Sequence, residues 1–145
     1  TDTQITDAGL REVAKLQKLR SLRLDYTQIT DAGFKETAKL QQLILLGLGG
    51  TQVTDEGLKE IAKLPQLKEL YLYANQLTDV TSLEKLDQLK GLNLGGNQLT
   101  DVTGLEKLTS LTNLSLRDNP DLTKAQIAEL QKALPKCKID SNAKK

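Results

Sequence analysis

One pattern of leucines constrains this chain more than any other feature, because it recurs five times at nearly constant spacing. The pattern reads L-x-x-L-x-L-x-x-(N/T), and it begins at Leu19, Leu43, Leu67, Leu89 and Leu111. The first units are therefore 24 residues long and the later ones 22. A period of this length predicts a solenoid, in which each repeat buries its leucines only against its neighbours.

Each L-x-x-L-x-L segment alternates apolar and outward residues, as in Leu22-Arg23-Leu24, and this period of two predicts one short strand per repeat. Stacked repeats place these strands side by side in a parallel sheet. The ninth position of the pattern carries a side chain that can bond backbone groups where the strand turns away. We therefore predict that a polar ladder inside the coil, and not a ligand site, is formed by Thr27, Thr51, Asn75, Asn97 and Asn119.

The segments that return from one strand to the next differ between the two halves of the chain. In the 24-residue units, Phe34, Leu58 and Ile61 fall at helical spacing, which predicts short amphipathic helices on the convex side. The shorter segments 79–86 and 101–108 predict single turns of the 3₁₀ type. Thr-Asp pairs begin these segments, and we expect them to cap helices in preference to forming a calcium site.

The last part of the chain departs from the repeat. Thr123 and Gln126 have the spacing of a capping box, and the apolar residues after them predict a capping helix that ends at Pro135. The segment Leu134-x-x-Cys137-x-Ile139 then repeats the strand frame, so we expect Cys137 to be buried where a core leucine would lie. Residues 141–145 are expected to fray.

These boundaries predict a single domain over residues 1–145. Residues 1–18 match only the second half of a repeat, complete repeats follow at 19–42, 43–66, 67–88 and 89–110, and residues 111–145 hold the last repeat with its C-terminal cap.

Two kinds of unit carry a family resemblance. The T-x-I/V-T-D-x-G-L/F-K-E-x-A-K-L units resemble the 24-residue repeats of bacterial leucine-rich repeat proteins of planctomycete type, and the N-Q-L-T-D-V-T-x-L-E-K-L units resemble the internalin class. The resemblance implies an α/β leucine-rich repeat solenoid. Such a fold is a right-handed curved coil with a parallel β-sheet on its concave face, short helices or 3₁₀ turns on its convex face, and a capping helix. It also implies a scaffold that binds proteins and is not an enzyme.

Composition narrows the function classes further. Twenty basic and nineteen acidic residues leave a net charge of +1, so we expect no nucleic-acid partner. No apolar run approaches the roughly 18 residues that cross a bilayer, so membrane insertion is not expected. Histidine is absent and no phosphate-binding loop is present, and we predict no catalytic residue, metal or cofactor.

The outward residues of the strands are where we expect a partner to bind. Tyr71 and Tyr73 stand two apart on one strand and point the same way, and we expect Gly47 and Gly49 in the preceding repeat to leave both rings accessible. Alternatively, the rings lie flat over these glycines and only cover the backbone. The predicted binding patch consists of Tyr71, Tyr73, Tyr26, Ile44, Leu45, Arg23, Glu69, Asn93 and Arg117.

Two functions remain open at this point. The first is a monomeric interaction module whose concave face binds a protein or peptide. The second is a structural or self-assembling module that forms a weak dimer through its N-terminal end, where the core around Leu19, Leu22 and Leu24 lacks a preceding strand.

Overall fold

A computed structural model describes residues 5–145, in which six parallel strands follow one another in the sheet in the order of the sequence. The strands are β1 (Ser21–Arg23), β2 (Leu45–Gly47), β3 (Glu69–Tyr71), β4 (Gly91–Asn93), β5 (Asn113–Ser115) and β6 (Lys138–Asp140). The middle residue of each strand is aligned with the middle residue of the next, from Leu22 in β1 to Ile139 in β6. This confirms the prediction of an α/β solenoid with one short strand per repeat.

The return segments form the convex layer. Its helices are α1 (Asp7–Val13), α2 (Asp31–Thr37), α3 (Asp55–Ile61) and, at the C-terminal end, α4 (Lys124–Ala133). Between α3 and α4 the two shorter return segments form the 3₁₀ turns Thr81–Lys85 and Leu105–Lys107, as predicted. The partial repeat expected at 1–18 is described only from residue 5.

The core lies between these two layers and is built from the leucines of the pattern together with apolar residues of the return segments. Leu46, Leu70 and Leu94 have no exposed surface, and the return segments add Phe34 and Ile61 from the helices. Because each leucine packs against the equivalent position of its neighbours, the repeats form one continuous core.

The predicted inner ladder is present, but its two halves differ. The Asn75 side chain donates to the carbonyls of Leu48 (2.9 Å) and Leu72 (3.0 Å) and accepts from the backbone N–H of Thr51 (3.0 Å) and Val53 (2.9 Å). Asparagine thus joins two repeats. The Thr51 hydroxyl donates only to the Leu48 carbonyl of its own repeat, at 2.7 Å.

The Thr-Asp pairs do not act as we expected. Thr30 and Thr54 precede helices, but neither hydroxyl caps its own helix. The Asp7 carboxylate instead accepts from the backbone N–H of Thr30 (2.9 Å) and from its hydroxyl (2.6 Å), and Asp31 accepts from the Thr54 hydroxyl (2.6 Å). The prediction of threonine caps is wrong for these helices, because the threonine oxygen is used to link consecutive repeats.

The C-terminal helix begins as predicted, with a capping box formed by Thr123 and Gln126. Cys137 is buried as expected, but the strand frame assigned to it is wrong. In the sheet, Ile139 is aligned with Leu114. The Cys137 N–H donates to the Leu134 carbonyl at 3.1 Å, and in the preceding repeat the Leu111 N–H donates to the Leu108 carbonyl at the same distance. Cys137 therefore takes the place of the first leucine of the pattern, and β6 begins one residue earlier than in the other repeats.

Residues 141–145 do not simply extend away from the domain. The Asn142 side chain accepts from the backbone N–H of Asp118 at 2.7 Å and donates to the Asp118 carboxylate at 2.8 Å. These two bonds attach the tail to the turn after β5, in contrast to the fraying that we expected.

Candidate functional site

Five side chains of the predicted patch are connected on the concave face through a sixth residue, Asp25. We call this set the tyrosine cluster; it consists of Arg23, Asp25, Tyr26, Glu69, Tyr71 and Tyr73. Register places Arg23 of β1 and Tyr71 of β3 on opposite sides of Gly47 in β2, so the absence of a side chain at Gly47 brings them together. The cluster therefore spans three repeats.

Asp25 holds the centre of the cluster. One of its carboxylate oxygens accepts from the backbone N–H of Gly49 (2.9 Å) and from the hydroxyl of Tyr73 (3.1 Å). The other oxygen lies 3.9 Å from the Arg23 guanidinium. Asp25 is not among the residues of the predicted patch, although the period of two that places Arg23 on the concave face also places Asp25 there.

Tyr71 is held by its neighbours on both sides. The Arg23 guanidinium carbon lies 5.0 Å from the centre of the Tyr71 ring, in a cation–π contact. The Tyr71 hydroxyl donates to Glu69 at 3.3 Å. Burial raises the pKa of the Tyr71 hydroxyl, and the negative charge of Glu69 adds to this effect.

The rings of Tyr71 and Tyr73 are not left free by the neighbouring glycines. Both side chains are half-buried, and the Tyr73 ring lies directly against Gly49, where a Cβ atom would collide with it. The expectation of two accessible rings is therefore wrong for Tyr73, and the alternative that this ring covers backbone is correct. Burial, with the charge of Asp25 and its hydrogen bond, raises the pKa of Tyr73 to about 12.

Tyr26 is the aromatic residue of the cluster that faces solvent, with 64% of its surface exposed. Its ring packs on that of Tyr73 in an edge-to-face geometry, with the two ring centres 6.1 Å apart. It also covers Gly50, where a Cβ atom would lie 2.5 Å from the ring. Tyr26 thus presents an open aromatic surface on a base of packed side chains.

The backbone at Tyr26 is strained. Its φ of 58° is left-handed, and the same turn position is left-handed in every complete repeat, at Gly50, Ala74, Gly96 and Asp118. Glycine adopts this conformation without penalty, whereas a residue with a side chain loses about 1 kcal/mol or more. A bulky aromatic residue here costs stability, which is a feature often found where a side chain serves binding.

The other predicted residues lie beside the cluster or apart from it. Ile44 and Leu45 are half-buried at the start of β2. The side-chain oxygen Oδ1 of Asn93 accepts from the N–H of Gly95 (3.0 Å), and Asn93 lines a groove of about 390 Å³ with Tyr71, Ser115 and Lys138. Arg117 is separate, and it forms an ion pair with Asp140 at 3.2 Å.

Within residues 5–145, no group of three or more Cys, Asp or Glu residues is arranged to hold a metal ion. The aspartates of the Thr-Asp pairs bond threonines, as described above. No helix in this part of the chain is both long and apolar enough to cross a membrane.

Comparison with known proteins agrees with this architecture. Residues 12–145 match the profile of the family described as "Leucine-rich repeat and WD repeat-containing protein 1, LRR". A comparison with curated protein sequences finds no match.

Three solved structures from Listeria monocytogenes are similar to the chain. Internalin C2 is 28% identical, with a TM-score of 0.74 over 100% of this chain and 70% of its own. Internalin F is 25% identical, with a TM-score of 0.69 over 93% of this chain and 46% of its own. The functional domain of InlJ is 21% identical, with a TM-score of 0.72, and the similarity covers 99% of this chain and 30% of the InlJ chain. At this identity the similarity shows the fold alone.

The chain thus spans less than half the length of internalin F and of the InlJ domain. The repeat pattern, the six-stranded parallel sheet and the profile match over residues 12–145 together lead to one assignment: this chain belongs to the leucine-rich repeat family.

Proposed function

We propose that this domain is a non-catalytic scaffold that binds a protein or peptide partner through the concave face, with Tyr26 as the main aromatic contact. The leucine-rich repeat fold suggests a protein-interaction scaffold in general. The observation that carries the finer proposal is the exposed ring of Tyr26, held in a strained backbone conformation above the rest of the tyrosine cluster.

The cluster supplies what a binding hot spot requires. Tyr71 and Tyr73 are fixed by contacts with Arg23 and Asp25 before any partner arrives, so little side-chain entropy is lost on binding. Tyrosine and arginine are enriched among the residues that dominate binding free energy. A partner that covers Tyr26 would bury an aromatic ring against an already ordered surface.

The structure changes which substitution tests this proposal best. Alanine at Tyr73 would remove a ring that packs on Gly49 and a hydrogen bond to Asp25, so a loss of binding could come from a loss of folding. Tyr26→Gly removes an exposed ring and also relieves a left-handed backbone. The matched control is Ala74→Gly, which relieves the same backbone strain two repeats away and leaves the aromatic rings intact.

The experiment is affinity purification from an extract of the organism that encodes this protein, with the three proteins as bait and quantitative mass spectrometry. We expect a set of proteins that is recovered by the wild type and by Ala74→Gly and is lost with Tyr26→Gly. Recovery of the same proteins by Tyr26→Gly would exclude Tyr26 as the main contact.

A further inference from the structure

Four cations lie along the edge of the concave sheet at which the strands begin: Arg20, Lys68, Lys90 and Lys138. Backbone hydrogen bonds connect this edge without interruption. At this edge, a residue at the start of each strand from β2 to β6 donates its N–H to the backbone carbonyl of the residue directly before the preceding strand, at 2.7–2.9 Å. The residues joined in this way are, in order, Arg20, Ile44, Lys68, Lys90, Thr112 and Lys138. We call the four cations the cationic edge.

The cationic edge differs from three lysines on the convex side. There, Lys15, Lys39 and Lys63 each form an ion pair with the glutamate three residues earlier, at 3.0, 2.7 and 2.8 Å. All four residues of the cationic edge are exposed, and none pairs with a carboxylate anywhere in residues 5–145. In a domain with a net charge of only +1, one side of the concave face thus carries four exposed positive charges without an ion pair.

We infer that the partner segment is acidic and lies across the strands, with its carboxylates facing Arg20, Lys68, Lys90 and Lys138. This inference rests on the proposed function and adds the charge and the direction of the bound segment. Neighbouring strands are about 4.8 Å apart, so the five steps from β1 to β6 span roughly 24 Å. About seven residues of extended chain, at about 3.4 Å each, cover that distance.

The same face also disfavours a polyphosphate. Glu69 follows Lys68 in β3 and Asp140 lies in the same strand as Lys138, and their charges would repel a continuous row of phosphates. A peptide can place carboxylates opposite the cations and neutral residues opposite these acids. The tyrosine cluster extends on the same concave face to the ends of β1 and β3 that lie away from the cationic edge. It would contact apolar side chains of the same segment.

The test uses a random-peptide display library, because the natural ligand has not been identified. The wild type is compared with Lys68→Glu/Lys90→Glu and with a control of equal charge change, Lys35→Glu/Lys85→Glu. Lys35 and Lys85 are exposed convex lysines without ion pairs among the described residues. Circular dichroism establishes that each variant is folded, and Lys68→Gln/Lys90→Gln removes the charges without reversing them.

We expect the wild type and the control to select peptides enriched in Asp and Glu, and the concave variants to lose this enrichment. Synthetic versions of the selected peptides, measured by fluorescence anisotropy, should bind Lys68→Glu/Lys90→Glu at least about tenfold more weakly, because each reversal replaces an attraction with a repulsion. Their affinity for the wild type should fall as salt is added.

The failures of the two proposals are distinguishable. Peptides without an acidic bias that are lost with Tyr26→Gly would overturn the inference about charge and would support the proposed function. No selection, or selection unaffected by either the tyrosine or the lysine variants, would overturn both. Binding of a mixed-sequence single-stranded oligonucleotide that depends on Lys68 and Lys90, with no acidic peptides selected, would show a nucleic-acid surface instead.

Discussion

Asn75 and Thr51 occupy equivalent positions of the inner ladder, and replacing each by alanine should give very different losses of stability. Asn75→Ala removes the acceptor of two buried N–H groups, those of Thr51 and Val53. The carbonyls that Asn75 contacts keep other donors: Leu48 keeps the Thr51 hydroxyl (2.7 Å) and Leu72 keeps Asn97 (3.0 Å). The cost is therefore set by two orphaned donors.

A buried donor without a partner costs about 1–3 kcal/mol, so Asn75→Ala should lower the free energy of unfolding by about 4 kcal/mol. Thr51→Ala removes only one donor to the Leu48 carbonyl, which Asn75 still satisfies at 2.9 Å. Its expected cost is about 1 kcal/mol. Both values are large enough to resolve in a domain of ordinary stability.

Equilibrium unfolding in urea, followed by far-ultraviolet circular dichroism, measures both changes. The comparison is valid if the slope of the free energy of unfolding against urea concentration is the same in the wild type and both variants. If Thr51→Ala cost as much as Asn75→Ala, or if Asn75→Ala cost less than about 1 kcal/mol, the account of the ladder would be refuted.

Three further predictions concern the turn, the cluster and the links between helices. Ala74→Gly should stabilise the domain by about 0.5–1 kcal/mol in the same urea assay, since its φ is 54°; a loss of stability would contradict the strain argument. Tyr73 should titrate near pH 12 in ultraviolet difference spectra, above the ordinary tyrosine pKa of about 10. Because the pKa of Tyr73 is higher in the folded than in the unfolded chain, it adds to the free energy of unfolding at every pH below the unfolded value of about 10. This contribution is lost as the pH rises to about 12. Tyr73→Phe should abolish the titration step near pH 12. Gly57→Ala should cost about 1–3 kcal/mol, because a Cβ atom would lie 2.8 Å from the Phe34 ring and collide with Asp31. The Cβ atom of Gly9→Ala would meet, among residues 5–145, only the flexible Ile5 side chain, so this change should be neutral or stabilising; equal costs for the two would refute the steric account.

The elements set by periodicity could be predicted from the sequence. The strand centred on Leu70 follows from apolar residues spaced two apart, and the helix containing Phe34 follows from apolar residues spaced three to four apart. In each case the spacing places the apolar residues on one face of the element, which can then be buried. The 3₁₀ turns follow from the loss of two residues per repeat. The register of β6 could not be predicted in this way, because both Cys137 and Ile139 fit an apolar position and a one-residue deletion leaves no mark in the pattern.

The contacts between repeats were the least predictable. A Thr-Asp pair has the composition of a helix cap, and nothing in one repeat shows that Asp7 lies within 2.6 Å of the Thr30 hydroxyl of the next. The glycines of the concave face pose the same problem. Sequence alone does not show whether the space above Gly49 is empty or filled, and the Tyr73 ring fills it because Asp25 holds the hydroxyl at the far side.

Some features of the concave face are visible in the sequence once the repeats are aligned by structure. The position of Tyr26 aligns with Gly50, Ala74, Gly96 and Asp118, so a bulky residue in a left-handed turn is recognisable as an exception. The cationic edge likewise emerges only when the residue after the first leucine is compared across repeats. Both comparisons depend on knowing which positions face the concave side.

The central claim is that a partner binds the concave face around Tyr26, and amide chemical-shift mapping tests it most directly. A peptide selected by the wild-type domain would be added to isotope-labelled protein, and the backbone amides followed by NMR. We expect the largest shifts in residues 20–26, 44–50 and 68–74, on the three repeats that carry the tyrosine cluster, with smaller shifts along the concave face at Lys90 and Lys138. Shifts confined to the convex helices α1, α2 and α3 would contradict it.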